Sequence, residues 1–99
     1  MDSVVPRKYI IMGNEDNVAV SLADLMKGET VRLESGREIA LKEDIRFGHK
    51  FSVCQIKKDQ NIIKYGQIIG KALADIDEGE HVHVNNIVSL RGGRKIEKH

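Results

Sequence analysis

The stretch Asp75-Ile76-Asp77-Glu78-Gly79-Glu80-His81-Val82-His83-Val84 decides how the chain is read, because its outline occurs three times. The other copies are Asp24-Leu25-Met26-Lys27-Gly28-Glu29-Thr30-Val31-Arg32-Leu33 and Asp44-Ile45-Arg46-Phe47-Gly48-His49-Lys50-Phe51-Ser52-Val53. Each runs Asp, aliphatic, two variable residues, Gly, two variable residues, then apolar-polar-apolar. An Asp heading a short turn accepts backbone N–H bonds, and a Gly closing it takes the positive φ. The alternation that follows is the period of a strand with one buried face. Each copy is therefore a tight turn feeding a strand.

Outward from the copies, further strand signals continue. Tyr9-Ile10-Ile11-Met12 ends at Gly13-Asn14, and Glu38-Ile39-Ala40-Leu41 follows the turn Ser35-Gly36 in hairpin fashion. Asn61-Ile62-Ile63-Lys64-Tyr65-Gly66 and Gln67-Ile68-Ile69-Gly70 are two more apolar runs punctuated by Gly. The one candidate helix is Val18 to Met26, with Val18, Leu22, Leu25 and Met26 at helical spacing and Asn17 as N-cap; a strand followed by a turn fits it equally. The expected fold is mainly β, with short, sharply turned strands and at most one or two short helices. Its expected core includes Ile45, Val53, Ile68, Ile76, Val82 and Val84. Residues 1–8 read as a lead-in, 9–91 as the domain, and 92–99 as a basic, Gly-containing flexible tail.

The 99 residues suit one domain with a modest core. Sixteen Lys and Arg against fifteen Asp and Glu leave no bulk field to hold nucleic acid or an anionic membrane. Met1 to Tyr9 lack the apolar core of a signal peptide, and no run approaches the roughly 20 apolar residues of a spanning helix, so the chain reads as cytoplasmic. With two Tyr, two Phe and no Trp, the core must be Ile, Val and Leu, and so thin a core suits a chain that packs on a partner. The lone Cys54 reads as a small buried filler.

His81 and His83 alternate with Val82 and Val84. If the valines face inward, both imidazoles leave the opposite face about 7 Å apart along the strand, too far to share a proton but able to line one pocket. Such a pair can bind a carboxylate, can bind a metal given a third ligand, or can simply be a solvated strand face. Gly48-His49-Lys50 and Lys64-Tyr65-Gly66 each place a cation beside Gly, where an anion can approach bare backbone. The chain holds no nucleophile elbow, phosphate-binding loop or dinucleotide fingerprint.

Taken together and in order, Asp16-Asn17-Val18-Ala19-Val20, Gly48-His49-Lys50-Phe51, Ile63-Lys64-Tyr65-Gly66 with Ile69-Gly70, Ala74-Asp75-Ile76, and Gly79-Glu80-His81-Val82-His83 followed by Asn86 resemble the SAF domain of the altronate and galactarate dehydratases. The resemblance implies a β-clip fold. It also implies a part in removing water from a sugar acid: an α-proton is taken, a β-hydroxyl leaves, and the enol becomes a 2-keto-3-deoxy acid. The catalytic core of that family is a larger region, so this chain is expected to be a small subunit whose partner is a large catalytic subunit; self-association is left open. No cofactor is expected on this chain alone, and a divalent metal, iron in several members, is expected on the large subunit. By the same resemblance His81 and His83 face the active site as catalytic groups, with His49, Lys64, Tyr65 and Asn85 binding substrate. Asn85 stands where the family usually carries a third His, and an amide donates a hydrogen bond but carries no proton near neutral pH. The small subunit of a sulfolactate sulfo-lyase resembles the same family and is an alternative. A non-enzymatic carbohydrate- or surface-binding module is another, since the fold alone permits it.

Overall fold

The computed structural model describes residues 8–11, 13–83, 86–91 and 94–95. All regular structure among them is strand: β1 (Tyr9–Ile10), β2 (Val18–Ser21), β3 (Thr30–Arg32), β4 (Glu38–Ala40), β5 (Lys50–Ser52), β6 (Asn61–Lys64), β7 (Gln67–Ala72), β8 (His81–Val82), β9 (Ile87–Arg91) and β10 (Arg94–Lys95). They form three small antiparallel sheets, ordered β1-β2-β5-β8, β10-β9-β7-β6 and β3-β4. This is the mainly β architecture expected of a SAF-like chain. Within the stretch expected to be a tail, Arg94 and Lys95 pair with Arg91 and Leu90.

The helical reading of Val18 to Met26 is overturned. Val18–Ser21 is a strand between β1 and β5, buried at Val18, Ala19 and Ser21, and a central strand with β-branched Val18 and Val20 outweighs an apolar spacing of fewer than three turns. Met26 is exposed and belongs to no apolar stripe. Asn17 caps no helix. Its Oδ1 accepts from the Ile63 N–H at 2.7 Å and its Nδ2 donates to the Asn61 carbonyl at 2.9 Å, which ties the start of β2 to β6.

The repeat is four-fold. Turn-closing N–H···O bonds join Glu29 to Met26, His49 to Arg46, Gln60 to Lys57 and Glu80 to Asp77, all between 2.9 and 3.0 Å. The residue before each donor has positive φ: Gly28, Gly48, Asp59 and Gly79. The copy beginning at Gln55 escapes a reading by residue type because Gln replaces the heading Asp and Asp59 replaces the Gly, yet Asp tolerates the left-handed region. The copies pair through bridges between Leu25 and Ile45 and between Ile56 and Ile76. In the first pair the Asp residues cap each other's turns: Asp24 Oδ1 accepts from Phe47 N–H at 2.9 Å and Asp44 Oδ1 from Lys27 N–H at 2.8 Å. In the second, Asp75 Oδ1 accepts from Lys58 N–H at 2.8 Å.

The pairs organise two apolar clusters. One holds Leu25, Ile45, Phe51 and Val53; the other holds Ile56, Ile62, Ile76 and Val82. Ile45, Val53, Ile76 and Val82 are buried as expected, whereas Val84 lies outside the described residues. Ile68 is a correction: it is 51% exposed. A register shift between Ile62 and Ile63 disturbs the β6–β7 alternation toward the hairpin tip, so Gly70 and Ala72 are buried while Ile68 projects.

Candidate functional site

The site grows from the β5–β8 ladder. Phe51 pairs with His81 and Lys50 with Val82, so His49, just before β5, comes to the same end as His83, just after β8. His49 Nδ1 lies 3.1 Å from His81 Nε2, with ring centroids 5.0 Å apart and planes 22° from parallel. The rings of His81 and His83 are 4.5 Å apart, tilted by 36°. The spacing of about 7 Å expected along an extended strand is therefore shortened between the rings. The cause is the end of β8 at Val82, after which Asn86 gathers the chain. Its Oδ1 accepts from the His83 N–H at 2.9 Å, its Nδ2 donates to the His81 carbonyl at 2.8 Å, and its own N–H donates to the His83 carbonyl at 3.0 Å.

His49 is fixed through its backbone. The buried Ser21 donates from its N–H (2.8 Å) and its hydroxyl (3.1 Å) to the His49 carbonyl, and the same hydroxyl lies 2.5 Å from the Arg46 carbonyl. In the other three turns the residue equivalent to His49 is Glu29, Gln60 or Glu80, and its side chain caps its own turn by accepting from the N–H of Met26, Lys57 or Asp77. Only this copy carries an imidazole there, and the ring meets His81 instead of capping. His49 is thus the one turn residue of the four whose side chain does not cap its own turn.

The electrostatics are cationic. Burial pushes the His81 imidazole below its usual proton affinity, His83, His49 and Lys50 push further, and only Glu43 opposes them. Glu43 Oε2 accepts the His81 N–H at 3.2 Å. Lys50 is held below the usual lysine range by burial and by the charge of Lys64. Lys64 lies with its Nζ 5.1 Å from the centroid of the Tyr65 ring, at the tip of the β6–β7 hairpin. That tip is over-determined: the Asp16 carboxylate accepts from the N–H groups of Gly13 (3.1 Å), Tyr65 (2.9 Å) and Gly66 (2.8 Å), and holds Tyr65 at φ 55°.

Of the residues singled out in the sequence, His49, His81 and His83 converge in direct contact. Lys64 and Tyr65 contact each other, Nζ over ring, but are not brought into contact with the three imidazoles. Asn85 lies outside the described residues. Lys50, Glu43, Asn86 and Asp16 are additions. Lys50, Asn86 and Asp16 stood within the quoted motif strings but without a role, and nothing in the pattern marks Glu43. Among the described residues no three His, Cys, Asp or Glu are arranged to hold a metal. The facing His49 Nδ1 and His81 Nε2 supply two donors, one short of the three protein ligands such a centre needs. Cys54 is half-buried, and burial pushes its thiol up, which suits a filler.

Residues 7–90 match the model of the altronate/galactarate dehydratase SAF domain. The chain belongs to this family. The SAF domain is 48% identical over 79 residues to the altronate dehydratase of Escherichia coli strain K12 and 42% identical over 80 residues to that of Bacillus subtilis strain 168. These matches cover 80% and 81% of this chain but only 16% of each relative. The SAF domain is also 31% identical over 89 residues to subunit alpha of the (2R)-sulfolactate sulfo-lyase of Chromohalobacter salexigens, covering 84% of this chain and 95% of that subunit. No helix among the described residues is long and apolar enough to cross a membrane.

Proposed function

We propose that this chain is the small subunit of a sugar-acid dehydratase of the altronate/galactarate type, and that it closes with its imidazole face over an active site carried mainly by a large subunit. The observation that carries this reading is the convergence of His49, His81 and His83 in a domain of a dehydratase family. Elimination needs a group that takes the proton α to the carboxylate and a group that returns a proton to the departing hydroxyl, so that water leaves and an enol remains. An imidazole kept neutral by burial and neighbouring cations is suited to accept a proton, which fits His81. His83 is the partner for transfer or for orienting substrate, and His49, Lys64 and Tyr65 bind the sugar acid. A divalent metal at the carboxylate would stabilise enolate charge. With no group of three ligating side chains among the described residues, this reading assigns it to the large subunit, in the cytoplasm.

One observation favours a second reading. The sulfo-lyase relative is named as a subunit and is matched over 95% of its length, so a domain of this extent serves there as a separate chain. In that reading sulfite leaves instead of water. The test is to combine the chain with its large subunit and assay altronate, galactarate and sulfolactate. Keto-acid formation from a sugar acid supports the dehydratase, sulfite release supports the sulfo-lyase, and inactivity on all three removes both.

A further inference from the structure

The β5–β8 register sorts the side chains of the site by face. Phe51 stands opposite His81, so His49, two residues before Phe51, and His83, two residues after His81, belong to that face, while Lys50 and Val82 belong to the other. Both members of the closest imidazole pair are fixed at the backbone. Ser21 donates twice to the His49 carbonyl, and His81 is held at its N–H by Glu43 Oε2 and at its carbonyl by Asn86 Nδ2. In the three other turns the residue equivalent to His49 caps its own turn, whereas His49 Nδ1 lies 3.1 Å from His81 Nε2. The ring released from capping is the one that meets His81.

An N···N approach of 3.1 Å needs one N–H and one lone pair. When both rings are neutral, two arrangements satisfy it. With the shared proton on His49 Nδ1, His49 Nε2 is a lone pair and His81 Nδ1 carries the second proton; with the shared proton on His81 Nε2, the outer nitrogens exchange roles. In either arrangement one outer nitrogen is a base and the other an acid. A pair with one extra proton also keeps the contact, but a pair with two sets N–H against N–H, so the second addition is opposed. The other titratable groups around His81 are His83 on the same face, Glu43 from the loop after β4, and Lys50 from the opposite face, and of these only Glu43 favours its protonation.

We propose that His49 and His81 act as one bifunctional proton carrier: a proton taken at one outer nitrogen is matched by a proton given from the other, through the His49 Nδ1···His81 Nε2 contact. This deepens the lyase reading and rests on it for the reaction. In the elimination the lone-pair nitrogen takes the α-proton, and the C–H electron pair becomes the new C=C bond. The shared proton crosses to the other ring, whose outer N–H breaks. That proton joins the departing hydroxyl, the C–O bond breaks with its electron pair on oxygen, and water leaves. The pair ends uncharged in its other arrangement, and proton exchange with solvent restores the first. His49 thereby meets the substrate through Nε2 and serves in transfer as well as in binding.

Two measurements test it. In the free chain, long-range proton–nitrogen NMR correlations follow the four ring nitrogens of the pair through a pH titration. The rings are expected to gain protons in two steps more than about one pH unit apart, with the resonances of each ring responding to both steps. In His49→Gln, whose new side chain can cap its turn as Gln60 does, His81 is expected to lose the second step. In the assembled enzyme with altronate or galactarate, His49→Gln and His81→Gln are each expected to lower kcat by roughly 10²-fold. The double variant is expected to match the single ones within about twofold, because loss of either ring disables the carrier. Rings that titrate independently, a His81 titration unchanged in His49→Gln, or losses that multiply in the double variant overturn the proposal. If the rings titrate independently while the assembled enzyme turns over, the carrier fails and the lyase reading stands. If the coupled titration is present in a chain that supports no elimination with its large subunit, the lyase reading fails and the coupled pair stands.

Discussion

At His81, burial and the neighbouring His83, His49 and Lys50 hold the folded-state proton affinity below the ordinary 6.5. The unfolded chain therefore binds that proton more readily, so the contribution of His81 to stability is whole above about pH 6.5 and declines as pH falls toward the lowered folded value. Thermal unfolding is expected to show Tm decreasing on the acid side, and His81→Gln is expected to flatten the decrease. An equally steep decrease in the variant would place the effect on other groups. Tyr65 is a second residue held against its preference, at φ 55° in a turn position that favours Asn or Gly. Tyr65→Asn is expected to leave stability unchanged or raise it by up to about 1 kcal/mol in urea unfolding. A clear loss would mean that the phenol, which is 43% exposed, contributes more to packing than its backbone costs.

Among the elements, the turns set the geometry of the site, and their glycines are not equivalent. A Cβ on Gly48 meets nothing within 4 Å, so Gly48→Ala carries only the positive-φ cost of about 1–2 kcal/mol. A Cβ on Gly79 collides with the Ala40 carbonyl, so Gly79→Ala is expected to cost distinctly more and to disturb β8. Equal losses for the two in chemical denaturation would contradict the packing described. The three Asp-to-Gly copies are legible in sequence because one residue type performs each task. The copy at Gln55–Asn61 is not, because Gln55 and Asp59 fill the same conformation with different side chains. The strand at Val18–Ser21 is hidden for a related reason: residues buried on both faces show no alternation, and a short apolar run fits helix and strand alike.

For the molecule as a whole, the candidate site is assembled from segments far apart in sequence. His81 and His83 were visible as a pair, but the 3.1 Å approach of His49 depends on the β5–β8 register, and the Asp16 clamp on the Lys64–Tyr65 tip spans 49 residues. Motif strings can bring such residues to notice, whereas only tertiary pairing brings them together. The matches cover 16% of the altronate dehydratases, and the proposed function places the rest of the active site on a larger partner. The isolated chain is accordingly expected to show no elimination above a buffer control, and turnover by it alone would place the whole catalytic centre within these residues.

If the imidazole face works in catalysis, steady-state kinetics of the assembled enzyme carrying His81→Gln or His83→Gln will register it. Each substitution sits at a half-exposed position and is expected to change stability by no more than about 0.5 to 1 kcal/mol. At least one is expected to lower kcat by roughly 10²-fold or more, as removal of a proton-transferring group does. Unchanged kcat and KM in both variants, with both folded and bound to the large subunit, would contradict the account and leave the three histidines as part of a polar surface.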